Sequence, residues 1–165
     1  MRVLGIDPGT AACGFGIVEA DGGRLTALDH GWWRSPAGES IEIRLKRIHD
    51  GVAELIDEHA PEAVVLEESY VGADARTALS VGQARGAVLV ACATASVYCT
   101  EYPPASVKVA VCGYGRAEKA QVQRMVKTIL GMREVPRPDH AADALAVAIC
   151  HALASPLQAL VGATR

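Results

Sequence analysis

The chain has 165 residues, half of them hydrophobic and 21% charged, with a net charge of −3. That length suits one domain with a core of its own, and no repeat, low-complexity tract or linker divides it. No stretch is expected to be apolar for long enough to cross a bilayer. "MRVLGID" is too short for a signal peptide and has no cleavage site, so a soluble cytoplasmic protein is expected. The five cysteines (Cys13, Cys92, Cys99, Cys112 and Cys150) are scattered without a C-x-x-C pair. Neither a zinc site nor a disulfide framework is indicated, and they read as small buried hydrophobes.

In chain order, "RVLGI" is a short apolar run closed by the turn signal D-P-G-T and reads as a buried strand ending at Asp7. "CGFGIVEA" and "LTALDHGWW", separated by "DGG" and one Arg, read as two further strands joined by a tight turn. Ile41, Leu45, Ile48, Val52 and Leu55 recur at steps of four and three and define one face of a helix. "AVVLEES" is the next buried strand, ending at Glu67-Glu68, and a loop around Gly72 leads into an alanine-rich helix through "GQARG". "SVYCTEY" is a fifth strand, closed by Pro103-Pro104. A basic helix through "AEKAQVQRMVKTIL" follows, and after Pro136 and Pro138 the last helix, "HAADALAVAICHALA". Strands give way to alternating strands and helices, so the class is α/β with a mixed sheet.

Two acids stand where buried strands leave the core: Asp7 after "LGI" and Glu67 after "VVL". A third, Asp143, lies on the apolar face of the last helix, with His140 and Asp139 three and four residues before it on the same face. An ionised carboxylate at such positions is costly unless paired or bound to a cation. For Asp7 alone, Asp-Pro-Gly turn-making accounts for the residue equally well. If the three regions converge, their like charges are tolerable mainly around divalent cations, and an oxygen-rich set favours Mg²⁺ or Mn²⁺. Two such ions activate a water and stabilise the leaving oxygen of a phosphodiester.

Charge is unevenly spread. From Pro103 to Arg137 the chain carries seven bases (Lys108, Arg116, Lys119, Arg124, Lys127, Arg133 and Arg137) against Glu118 and Glu134, a net +5 that leaves −8 for the rest. Such asymmetry marks either a phosphate-facing side or a solvated helix face.

Taken together, "LGIDPGT" with "CGFGIV", then "LEESY", "GQARG", "VKVAVCGYGRAEKAQVQRMV" and "HAADALAVAICH", in that order, resemble the RuvC-type Holliday-junction resolvases of bacteria. The resemblance spans nearly the whole chain. It implies a ribonuclease-H-like fold, a mixed five-stranded sheet flanked by helices, and a single nuclease domain over residues 1–157. Residues 158–165 are expected to form a short, poorly ordered tail. It also implies a homodimer that nicks two opposed strands of a four-way DNA junction, and the branch-migration motor RuvA–RuvB as partner.

Carried over by motif, Asp7, Glu67 and Asp143 become metal-binding catalytic carboxylates, with Glu67 preferred to Glu68 because it keeps the family's spacing to "GQARG". His140 fills the slot three residues before Asp143, where many members have Asp. It is expected either to bind metal, favouring Mn²⁺, or to orient or deprotonate the attacking water. Asp139, following Pro138, is expected to be an N-cap. Lys108 and Lys119 match lysines close to the family's active site and are expected, with Arg116, to meet phosphates. Tyr70 matches an aromatic expected to stack on unpaired bases. Arg76 and Arg85 are expected to extend the DNA surface, although Arg85 could equally pair with a carboxylate. The small-residue helix "ARTALSVGQARGAVLVACA" is the candidate dimer contact.

"GIDPGT" also resembles the opening of sugar kinases, actin and heat-shock ATPases, but this chain is too short for their two lobes and contains no G-x-x-x-x-G-K loop. A junction-binding scaffold without catalysis would be expected to lack some of the acids, whereas all three carboxylate positions are filled.

Overall fold

The computed structural model describes residues 1–68 and 74–162, with side chains as far as Ala154. Three strands open the chain: β1 (Arg2–Asp7), β2 (Ala12–Asp21) and β3 (Arg24–Arg34). Gly22 and Gly23, at φ 54° and 85°, make the β2–β3 turn, a conformation that favours glycine at both positions. Helix α1 (Ile41–His59), β4 (Ala63–Glu67), α2 (Ala75–Ala95) and β5 (Tyr98–Tyr102) follow, then α3 (Pro104–Cys112), α4 (Lys119–Ile129) and α5 (Asp139–Gly162). The sheet runs β3-β2-β1-β4-β5, with β1–β2 and β2–β3 antiparallel and β1–β4 and β4–β5 parallel. The expected α/β class and mixed five-stranded sheet are both present.

Helix α3 was not anticipated. "SVKVAV" reads as β-branched and alternating, yet Pro104 opens a helix, Val107 and Val111 are buried four apart on one face, and Gly113 closes it at φ 83°. A second difference concerns α2. At 21 residues and a mean hydropathy of 1.3 it is long and apolar enough to cross a membrane, contrary to the expectation from the sequence. Its apolarity is largely alanine and valine, Ala84, Val88, Ala91 and Cys92 are buried in the protein's own core, and Arg85 pairs with Glu101.

Strand alternation sorts the core into two layers. Leu4, Ile6, Ile17, Val64 and Leu66 face α1 and α2. Val3, Val18 and Val65 face α3, α4 and α5, whose Leu145, Val147 and Ile149 are fully buried. Helix α5 lies unusually close to the sheet because β1 and β2 present glycines beneath it. A Cβ on Gly5 would stand 2.0 Å from the Ala144 carbonyl oxygen, one on Gly14 2.1 Å from that of His140, and one on Gly16 2.6 Å from the Leu145 side chain.

Candidate active site

Parity along the strands decides where the acids point. Asp7 continues the series Val3, Gly5 on β1, and Glu67 the series Ala63, Val65 on β4, so both carboxylates belong to the α5 face. β1 and β4 are neighbours in register, Ile6 opposite Leu66, which puts Asp7 and Glu67 side by side at the ends of the two central parallel strands. Glu68, of opposite parity, is exposed, and its N–H donates to the Tyr102 carbonyl. The first turn of α5 then brings His140 and Asp143 over the same edge, seated there by Gly14.

His140 Nδ1 lies 2.7 Å from Asp7 Oδ2. A carboxylate can only accept, so Nδ1–H is the donor, and in the neutral imidazole the lone pair falls on Nε2. Lys119, the first residue of α4, places Nζ 3.0 Å from Asp143 Oδ2 and 3.4 Å from Asp139 Oδ2. Burial pushes the Glu67 carboxyl up to about 7, helped by the negative charges of Asp143 and Asp7 and opposed by Lys108 and Lys119. Burial likewise raises Asp143, against the pull of Lys119. Burial disfavours the Lys119 ammonium, but its bonds to the two aspartates leave its pKa raised overall.

A cleft of about 250 Å³ is lined by Glu67, Lys108, Lys119 and Asp143, with Pro104, Val107, Val122 and Ala146 as its apolar walls. Two lysines from α3 and α4 thus face two acids from β4 and α5. Beside it a second groove of about 780 Å³ runs from His140 and Asp139 along residues 135–138 to Trp32 and Gln123.

The structure therefore gathers Asp7, Glu67, His140, Asp143, Lys108 and Lys119. Arg85 is not among them: it pairs with Glu101 on β5. Arg76 and Arg116 are exposed, and neither lines the carboxylate cleft. Tyr70 lies outside the described residues. Asp139 is not an N-cap but the first residue of α5. Its carboxylate is held below the usual range by a hydrogen bond from Gln123 and by Lys119, partners on α4 that only the folded chain supplies. Trp32 and Gln123 are wall residues that the sequence did not single out. The available signal for Trp32 is its pairing with Gly14, which puts it on the α5 face.

Among the described residues no three His, Cys, Asp or Glu groups stand close enough to enclose one ion, since Lys119 engages Asp143 and His140 engages Asp7. The donor set nonetheless fits a divalent cation by its chemistry. It offers carboxylate oxygens on adjoining elements, and their mutual repulsion adds to burial in raising the pKa of Glu67.

A family model described as Crossover junction endodeoxyribonuclease RuvC matches residues 3–151. The crossover junction endodeoxyribonuclease RuvC of Moorella thermoacetica is 52% identical over 156 residues, covering 94% of this chain and 93% of that protein. The solved structure of Thermus thermophilus RuvC is similar with a TM-score of 0.88 at 41% identity, over 96% of this chain and 97% of that one. The same protein solved in complex with a Holliday junction substrate gives a TM-score of 0.88 at 39% identity, over 95% and 96% of the two chains. The expected ribonuclease-H-like fold is thereby established.

Proposed function

Because this chain belongs to the RuvC family of crossover junction endodeoxyribonucleases, we infer that Asp7, Glu67 and Asp143 form the centre at which it hydrolyses phosphodiesters of a four-way DNA junction. The observation that carries this reading is the convergence of the two central strand ends with the first turn of α5, which buries Glu67 beside like charges and raises its carboxyl to about 7. The activity belongs to homologous recombination and DNA repair.

Asp7, Glu67 and Asp143 would hold two divalent cations, Mg²⁺ or Mn²⁺, which when bound supply activation of the attacking water and stabilisation of charge at the leaving oxygen. His140, with Nδ1 tied to Asp7, presents Nε2 as the atom that orients the water or takes its proton. A direct contact of Nε2 with the cation is the other use of the same lone pair, and it favours Mn²⁺. Lys108 and Lys119 neutralise the phosphate from the α3–α4 side of the cleft, and Arg76 and Arg116 extend the electrostatic surface. Arg85 contributes through Glu101 rather than through DNA. Tyr70 stacks on bases unpaired at the junction centre.

Two opposed nicks need two centres, and a C₂ dimer supplies them. The face that supports such a dimer is on α2, where Leu79, Leu89 and Val90 are 65%, 42% and 57% exposed. The family also implies docking with RuvA–RuvB and a place in the bacterial cytoplasm, where the junction is. The deciding experiment is nicking of a labelled synthetic four-way junction against linear duplex, in Mg²⁺ and Mn²⁺ separately, by wild type and Asp7→Asn. Paired symmetric cuts on the junction alone, absent in Asp7→Asn, are expected. Equal cutting of linear duplex would overturn the reading.

A further inference from the structure

The two tryptophans of β3 are adjacent in sequence and opposite in fate. Trp33 faces α1, stacked on Phe15 at 4.8 Å between ring centroids and packed against Gly51, where a Cβ would stand 2.3 Å from the indole. Trp32 points to the other face, opposite Gly14, and is 39% exposed although it sits on the same side of the sheet as the core helix α5. It lines the 780 Å³ groove together with His140 and residues 135–138. An indole left partly open in a groove that also holds His140 can take a stacking partner there.

The surroundings indicate its chemistry. The Arg34 guanidinium carbon lies over the Trp32 ring, 5.9 Å from its centroid, a cation–π approach, and Arg137 is exposed on the groove's wall. The acid in the groove, Asp139, is already engaged by Lys119 and Gln123. A flat aromatic platform with two cations takes a planar, anion-bearing ligand, and the groove's volume falls within the ~300–1,000 Å³ usual for small-ligand sites. It shares His140 with the catalytic centre and adjoins the Lys108–Lys119 cleft, since its Asp139 pairs with Lys119.

We propose that this groove binds an unstacked nucleotide of the strand being cut, with its base on the Trp32 indole and its phosphates facing Arg34 and Arg137. The groove is thus a positioning subsite for the nuclease reaction, and it rests on the function inferred above. The sequence contains two tryptophans, so in Trp33→Phe protein the emission reports on Trp32 alone. Binding of oligothymidylate, and of a four-way junction, is expected to quench that emission. In the otherwise unaltered chain, Trp32→Ala is expected to weaken junction affinity about ten- to a hundredfold. Trp32→Phe should recover most of the loss, and Arg24→Ala, at the far end of β3, should have no effect. Normal nicking and affinity in Trp32→Ala, with unquenched emission, would overturn the subsite and leave the nuclease assignment intact. Quenching of the Trp33→Phe protein by DNA, with no nicking of any junction by wild type, would remove the nuclease reading and with it the positioning role, leaving a nucleotide-binding groove only.

Discussion

His140 and Asp7 are 133 residues apart in sequence and 2.7 Å apart in space, joined from Nδ1 to Oδ2. The bond exists because Gly14 lets the start of α5 settle onto β2, and it aligns the imidazole with the acid that ends β1. His140→Ala should slow single-turnover nicking roughly a hundredfold, the range for a positioned acid–base group, with junction affinity nearly unchanged. His140→Asp restores an oxygen donor and should move the metal preference from Mn²⁺ towards Mg²⁺. A wild-type rate in His140→Ala would remove the residue from the mechanism.

Gly14→Ala tests the seat of the helix. The added methyl would stand 2.1 Å from the His140 carbonyl oxygen, so backbone must move. A loss of about 1–3 kcal/mol in stability is expected from chemical denaturation. Because the displaced turn carries His140 and Asp143, nicking should fall further than the remaining folded fraction explains.

Glu67 makes the metal-free protein sensitive to pH. Its carboxyl, buried and beside Asp143 and Asp7, is raised from 4.5 to about 7. A group that binds its proton more tightly when folded favours the folded state fully below its ordinary value, and the contribution is lost as pH rises through about 7. Asp143 is raised too and acts in the same direction; the buried His151 imidazole, lowered from its ordinary value, acts against it, and the lowered carboxyls of Glu39 and Asp139 titrate below this range. Without divalent ions, the melting temperature should therefore be lower at pH 8 than at pH 5.5. Glu67→Gln should narrow the difference, and so should added Mg²⁺. Equal melting temperatures in wild type would contradict the assigned environment.

Lys108 and Arg85 separate cations that face DNA from cations already spoken for. Lys108 lines the cleft, while Arg85 is paired with Glu101. Lys108→Ala should lower the slope of log affinity against log salt by about one. Arg85→Ala should leave that slope unchanged and lower stability instead. A reversed pattern, read by titrating a labelled junction at several salt concentrations, would mean that Arg85 leaves Glu101 on binding.

Helix α2 carries the dimer prediction. Leu89→Glu with Val90→Glu places charges on its exposed apolar face and should reduce the mass seen by sedimentation from that of two chains to one. Leu153→Glu, equally exposed but on α5, should not. An unchanged mass in the double variant would put the interface elsewhere.

Much of this was legible in short windows of sequence. The D-G-G turn, the apolar face of α1, and strands that end in Asp7 and Glu67 follow from local periodicity and from the backbone freedom of glycine, which need no knowledge of neighbours. The spacing of His140 and Asp143 on one helix face is equally local. Helix α3 escaped because its valines satisfy a strand pattern, and only the core beneath Val107 and Val111 selects the helix.

What the chain could not reveal by itself is which face of the sheet each alternating series would meet. Asp7 and Glu67 share a field with Asp143 only because α5 covers their side of the sheet, over glycines whose missing side chains let it come close. The same choice of face buries Trp33 and leaves Trp32 open, ties Asp139 to α4 instead of to its own helix end, and turns Arg85 towards Glu101. Periodicity determines that a side chain alternates; long-range packing, which pairs residues more than a hundred positions apart, decides what it meets.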